Sequence, residues 1–134
     1  MAVRFFLIIA VVYTLTITTF SLIPLGKISV GGFNPTDKML HAIAYFILTL
    51  FWLFYYLMKI SKKNDYKLNF FYISALVIVF GMLIEVLQGA LTNYRQPDWA
   101  DILANSIGVL VACLFCILFL NYLKRIKQKI NLFL

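Results

Sequence analysis

The stretch from Glu85 to Gly108 holds the densest polar chemistry in a chain that is otherwise mostly apolar. Glu85 and Gln88 are spaced i, i+3, so they share one face of a helix. A second stripe has the helical spacing i, i+3, i+7, i+10: Asp98, Asp101, Asn105 and Gly108. Carboxylates in such positions can accept a proton, orient a histidine or bind a cation. The spacing therefore predicts a functional site here.

A further polar patch lies at the start of an earlier apolar run, where Asp37 and His41 are spaced i, i+4. His41 is the single histidine of the chain, and imidazole exchanges a proton near neutral pH. With a rise of about 1.5 Å per residue, His41 lies about 6 Å along its helix from Asp37, and Glu85 lies about 9 Å before Leu91. We expect the patches of three helices to meet at one shallow depth.

The residue types indicate roles within such a cleft. We predict that Glu85 or Asp101 orients His41 as a general base, so these three are the catalytic candidates. Lys38 and Arg95 are suited to hold a phosphate. The full set of predicted binding residues comprises the other polar side chains of the patches and of the intervening loop: Asp37, Lys38, Gln88, Arg95, Asp98 and Asn105.

Three alternatives remain open at this point. No serine, cysteine or threonine is placed as an obvious nucleophile, so the site could bind a ligand without transforming it. The acids and His41 could ligate a cation, but their spacing over three helices fixes no geometry, so we assign neither a metal site nor a cofactor. The polar groups could also form only a structural network that ties the helices together.

The composition indicates the solvent in which these helices fold. Of the 134 residues, 63% are hydrophobic and 13% are charged, and the mean hydropathy is +0.94. Such values lie outside the range of soluble globular proteins. We therefore predict a single all-α integral membrane domain, a four-transmembrane-helix bundle with a basic amphipathic tail. The expected spans are about 5–23, 37–58, 69–91 and 99–122, and the tail covers 123–134.

The basic residues predict the orientation of these spans. Nine of the twelve fall on one side of the predicted spans: Arg4, Lys59, Lys62, Lys63, Lys67, Lys124, Arg125, Lys127 and Lys129. Because cytoplasmic loops are enriched in Lys and Arg, both termini are predicted to be cytoplasmic, and the loops after the first and third spans to lie outside. Topology thus explains the net charge of +7, and we expect no nucleic-acid partner.

The fourth span also carries a ridge of small residues at four-residue spacing: Ala104, Gly108, Ala112 and Cys116. Small side chains let helices approach closely in a membrane. Cys113 and Cys116 form a C-x-x-C pair within this apolar helix. Because no further metal ligands are expected at that depth, we interpret both cysteines as packing residues.

The polar motifs together resemble the VanZ-like membrane protein family. The resemblance rests on DKMLHAIAY from Asp37 to Tyr45, on E-x-x-Q, on an arginine, and on D-x-x-x-N-x-x-G from Asp101 to Gly108. It covers the chain from the second span through the fourth. The family pattern falls on Asp37, Lys38, His41, Glu85, Gln88, Arg95, Asp101, Asn105 and Gly108.

The resemblance implies a multi-pass envelope protein of the bacterial cytoplasmic membrane. The named member of the family is associated with resistance to teicoplanin. We therefore expect a polar site near the outer leaflet that binds or modifies a membrane lipid, a lipid-linked cell-wall precursor or a lipoglycopeptide. Teicoplanin-type resistance is one role that the resemblance implies, and a non-catalytic membrane scaffold is the alternative. Neither the ligand nor the oligomeric state follows from the sequence.

Overall fold

The fold consists of α-helices throughout the part of the chain that the computed structural model describes, residues 2–23, 36–60, 65–92 and 98–133. The five helices are α1 (Ala2–Leu22), α2 (Asp37–Lys59), α3 (Tyr66–Leu91), α4 (Trp99–Leu118) and α5 (Leu120–Phe133). The first four are long and apolar enough to cross a membrane. The all-helical prediction is confirmed, and the chain has the character of a multi-pass membrane protein.

Local capping explains where α2, α3 and α4 begin. The side-chain oxygens of Thr36, Asp65 and Asp98 each accept a hydrogen bond from a backbone N–H of the first helical turn. Asp65 starts α3 at Tyr66, ahead of the predicted span start near 69. α4 ends at Leu118 rather than near 122, because a turn at Phe119 separates it from α5.

Close packing of α2 against α4 fixes the centre of the molecule. A Cβ atom built on Gly108 would lie 2.1 Å from the backbone oxygen of Ala42, so only glycine fits this contact. Ala104, Ala112 and Cys116 on the same ridge are all buried. The small-residue ridge therefore brings the two helices together as the sequence predicts.

A predominantly apolar cluster holds the end of the molecule at which α2 and α4 finish. Leu53, Leu57, Phe70, Cys113 and Cys116 pack there with residues of α5. Both cysteines are buried and free, in agreement with a packing role. α5 contributes the buried side chains Leu120 and Leu123. We call this region the apolar end.

The basic residues of α5 lie beside this cluster. Lys127 Nζ donates a hydrogen bond to the carbonyl oxygen of Ile60, the C-cap residue of α2. Burial lowers the pKa of Lys127. Lys124 Nζ lies 4.5 Å from the ring centroid of Tyr66. The predicted amphipathic tail is thus a helix whose apolar face closes the apolar end.

Candidate functional site

The opposite end of the molecule brings together the C-termini of α1 and α3 and the N-termini of α2 and α4. Gln88 Nε2 donates to the carbonyl oxygen of Ser21 at 2.6 Å, which joins α3 to α1. Glu85 Oε1 accepts from the backbone N–H of Asp98 at 2.9 Å, which joins α3 to the start of α4. We call this region the polar end. These residues are far apart in the sequence, and the packing of the helices brings them together.

Lys38 links α2 to α4 through two carboxylates. Its ammonium group forms ion pairs with Asp98 Oδ2 and Asp101 Oδ1. Asp101 is 2% exposed, whereas the side chains of Lys38 and Asp98 are each 42% exposed. A buried carboxylate requires such a partner, because removing a charge from water without compensation is very unfavourable. Lys38 therefore supports the charge of Asp101.

The imidazole of His41 is held from both sides. His41 Nδ1 lies 3.0 Å from the side-chain oxygen of Asn105. Because that amide oxygen can only accept, Nδ1 carries the proton and donates it. His41 Nε2 faces Asp101 Oδ2 at 3.7 Å and Asp37 Oδ1 at 3.9 Å. The ring is oriented so that Nε2 points towards two carboxylates.

The position of Asn105 is in turn fixed by the packing of α3 against α4. Asn105 is 3% exposed. Its Nδ2 would lie 3.4 Å from a Cβ atom built on Gly81, and the ring of Tyr45 would lie 2.9 Å from the same atom. Glycine at position 81 therefore leaves the space in which both side chains sit. This glycine carries no signal in the polar spacing, so it was not among the predicted site residues.

Several buried polar atoms at the polar end are unsatisfied. Among the described residues, no hydrogen-bond partner is found for Glu85 Oε2, Gln88 Oε1 or the hydroxyl of Tyr45. All three residues are at most 2% exposed. Orphaned polar groups of this kind are rare in native proteins, because each costs about 1–3 kcal/mol. Their concentration near one another points to a site rather than to ordinary packing.

A cleft of about 310 Å³ opens at this end. Asp37, His41, Tyr45 and Gln88 line it together with α1 residues, including Ser21. The sequence predicted a cleft formed by three helices, whereas α1 supplies a further wall and the carbonyl oxygen bonded by Gln88. The α1 side chains Tyr13, Thr16, Ile17 and Phe20 are weakly polar or apolar, so polar spacing gave no indication of their place here.

Three residues of the site can offer metal-ligand atoms to one point. One atom each from Asp37, His41 and Asp101 lies within 4.8 Å of the others. Of the carboxylates expected to orient His41, the structure places Asp101 beside the imidazole, while one oxygen of Glu85 binds the backbone of Asp98. Arg95, a predicted phosphate ligand, lies outside the described residues.

The structure brings together the other eight predicted site residues through direct contacts or a shared cleft wall. The ion pairs and hydrogen bonds connect Lys38 with Asp98 and Asp101, and His41 with Asn105. Gln88 shares the cleft with Asp37 and His41. Glu85 joins the network through Asp98.

Comparison with known proteins finds sequence similarity to a fungal protein. The chain is similar to an uncharacterized protein of Schizosaccharomyces pombe (strain 972), with 38% identity over 107 residues. The similarity covers 75% of this chain, and the chain spans 60% of the length of that relative. No family model matches the chain, and no solved structure matches it.

Proposed function

We propose that the polar end binds the head group of a phosphorylated membrane amphiphile at the outer membrane interface, in a VanZ-like four-helix bundle. The observation that carries this proposal is the cleft in which the unsatisfied Tyr45 hydroxyl and Gln88 Oε1 accompany Asp37 and His41. A head group that enters the cleft can supply hydrogen-bond partners for these atoms. The position of the cleft at the ends of the helices also suits a lipid, since lipid head groups lie at the ends of membrane-spanning helices.

Charge supports the proposed orientation. Arg4 and the basic residues of α5 lie at or beside the apolar end, together with Lys59 and Lys67. Under the positive-inside rule this end faces the cytoplasm, which leaves both termini inside and the polar end outside. The polar end carries four carboxylates in its described part: Asp37, Glu85, Asp98 and Asp101.

The class of ligand follows from the setting. The VanZ-like resemblance favours a lipid or a lipid-linked cell-wall precursor in a bacterial cytoplasmic membrane, with teicoplanin-type resistance as a consequence of binding there. We therefore propose a phospholipid or polyprenyl phosphate head group as the ligand.

His41 is the residue proposed to contact the head group and, if the bound lipid is transformed, to act as its base. The Asn105 hydrogen bond fixes the Nδ1 proton, so Nε2 is directed towards Asp101 and Asp37. A histidine held in one tautomer by a hydrogen-bond acceptor is suited to proton transfer. Asp101 is the positioning carboxylate beside it.

Native mass spectrometry of the full chain in detergent micelles tests the proposal. The probes are phosphatidylglycerol, phosphatidylethanolamine and a polyprenyl phosphate, with diacylglycerol as the ligand that lacks phosphate. We expect the phosphorylated lipids to be retained in preference, and His41→Gln to weaken retention about 10–100-fold through loss of the imidazole contact. Asp65→Asn is the matched control, because it changes a carboxylate at the apolar end and keeps a good N-cap. Equal retention of diacylglycerol would contradict the proposal.

A structural scaffold is the second candidate, and the double ion pair of Lys38 favours it. In that case the polar network only joins α2 to α4, and its charges fix which helices pair. Lys38→Met would then lower the unfolding temperature and leave the lipids of the purified protein unchanged. Loss of lipid retention in a folded His41→Gln variant would reject the scaffold as the whole function.

A further inference from the structure

The described part of the polar end is acidic where a phosphate would enter. In the described part of the chain it contains four carboxylates and one lysine, and that lysine is already paired with Asp98 and Asp101. A phosphate approaching Asp37 and His41 would meet like charge, which is unfavourable at short distance in a medium of low dielectric constant. A cation held between these side chains would offset that repulsion and attract the phosphate.

The geometry around His41 Nε2 suits a cation. Asp101 Oδ2 and Asp37 Oδ1 lie 3.7 Å and 3.9 Å from this nitrogen. Those separations exceed a direct hydrogen bond, and they are a few tenths of an ångström wider than the roughly 3.4 Å between two tetrahedral ligands that lie about 2.1 Å from one ion. The complete set of three donor atoms lies within 4.8 Å, so small side-chain rotations bring all three to a common ion.

The surrounding hydrogen bonds prepare each donor for that role. Asn105 accepts the Nδ1 proton of His41. A metal-bound histidine usually donates the proton of its other ring nitrogen to such an acceptor, which fixes the orientation of the ring. Lys38 pairs with Asp101 Oδ1, while Asp101 Oδ2 faces His41. Each side chain thus presents one atom to the ion and uses another to hold its orientation.

A second observation at the same place indicates that a ligand completes the site. The Tyr45 hydroxyl and Gln88 Oε1 are buried and lack partners among the described residues, and both side chains line the cleft that Asp37 and His41 also line. A head group coordinated to the ion would lie in that cleft, where it could accept from Tyr45 and donate to Gln88.

We propose that Asp37, His41 and Asp101 bind one divalent first-row cation, Mn²⁺ or Zn²⁺, and that this ion receives the phosphate of the head group through an open coordination position. The ligand set of one imidazole and two carboxylates suits both ions. The inference rests on the proposed binding of a head group. With Nε2 bound to the ion, His41 is a metal ligand and not a base, and the ion attracts the phosphate of the lipid.

Metal binding is first measured without added lipid. The full chain in detergent micelles is dialysed against Mn²⁺ or Zn²⁺ alone, and bound metal is counted by elemental mass spectrometry. We expect one ion per chain and an affinity loss of at least about 100-fold in His41→Ala and in Asp37→Asn. Asp37 is 55% exposed, so its substitution leaves the packed core intact. Asp65→Asn, at the apolar end, is expected to bind metal as the wild type does.

Asn105→Ala tests the positioning role separately. Loss of the partner that orients a metal-bound histidine typically lowers metal affinity about 10–100-fold. We expect this loss in Asn105→Ala, with one ion still bound per chain at saturating metal. No metal at one ion per chain, or metal retained equally by His41→Ala and Asp37→Asn, would overturn the proposed ion site.

Lipid retention with and without a chelator separates this inference from the proposed function. If an ion holds the phosphate, both a chelator and the substitution Asp37→Asn lower the retention of phosphatidylglycerol. Without the ion, Asp37→Asn raises retention, because it removes a repelling carboxylate. If phosphatidylglycerol is still retained after the chelator is added, the ion site is rejected and the proposed function stands. One bound ion per chain, together with equal retention of lipids with and without phosphate, would reject the proposed function and support the ion site.

Discussion

The helices pack through apolar contacts at one end of the molecule and through polar contacts at the other. At the apolar end, α2, α3, α4 and α5 meet through aliphatic and aromatic side chains, and Phe70 and Leu57 are at most 1% exposed. At the polar end, helices meet through carboxylates, a lysine, a histidine and amides. Glu85 Oε2 and Gln88 Oε1 there have no hydrogen-bond partner within the part of the chain that the structure describes. Apolar packing requires complementary shapes but no specific partner atoms, whereas buried polar groups are costly unless every partner is present.

The contrast indicates that stability and function are separated along the helices. The chain could have filled the polar end with apolar residues, which often stabilise as well as a buried ion pair or better. It instead retains Glu85 and Asp101 at 1% and 2% exposure. We infer that substitutions at the apolar end change mainly the free energy of unfolding, while substitutions at the polar end change mainly ligand binding.

The largest expected effect lies between the two ends, at Gly108. Gly108→Leu would drive a side chain into the backbone of Ala42, where even a Cβ atom would lie 2.1 Å from the carbonyl oxygen. We expect a loss of about 3 kcal/mol or more in unfolding free energy, because a backbone carbonyl cannot move aside as a flexible side chain can. Denaturant unfolding in micelles measures it. Wild-type stability in Gly108→Leu would show that α2 and α4 do not need this close approach.

Leu57→Ala isolates the apolar end. Leu57 is 1% exposed, so the substitution leaves a cavity and is expected to lower the free energy of unfolding by about 2–5 kcal/mol. Lipid retention by the folded fraction should not change. Leu76→Ala, at a position that is 69% exposed, is the matched control and should be nearly neutral. If Leu57→Ala lost as much lipid retention as His41→Gln, stability and ligand binding would not be separated between the two ends.

Glu85 allows hydrogen bonding and charge to be separated at the polar end. Glu85→Gln keeps an oxygen that can accept from the N–H of Asp98, so its stability should lie within about 1 kcal/mol of the wild type. Glu85→Ala removes that acceptor and should cost about 1–3 kcal/mol. Thermal unfolding of the two variants, side by side, provides the comparison. Equal destabilisation would mean that the charge of Glu85, rather than its hydrogen bond, supports the start of α4.

The smallest effect is expected at the edge of the apolar end, in Lys124→Ala. Lys124 Nζ lies over the ring of Tyr66, an interaction worth about 0.5–1 kcal/mol at an exposed site. Thermal unfolding of Lys124→Ala and Tyr66→Leu, alone and combined, measures the coupling. A coupling above about 2 kcal/mol would show that α5 contributes more to the fold than its apolar contacts indicate.

Much of this architecture follows from the sequence, because apolar length and helix caps are local signals. The spans, the start of α2 at Asp37 and the ridge through Gly108 are visible in the printed residues. The polar spacing also identified the helix faces that meet. Spacing could not show which carboxylate faces His41, because that depends on the rotation of α4 against α2. It also gave no indication of Ser21, whose contribution is a backbone carbonyl that any residue type could supply.

The most direct test of the polar end as a binding site is phosphatidylglycerol retention by wild type and His41→Gln, measured on samples whose unfolding temperatures are recorded in parallel. His41 is 12% exposed and lies at the edge of the core, so glutamine is expected to be accommodated there. A binding site predicts nearly equal unfolding temperatures and about 10–100-fold weaker retention in the variant. Equal retention by the two proteins, with a lower unfolding temperature in His41→Gln, would contradict it and leave the polar end a structural network.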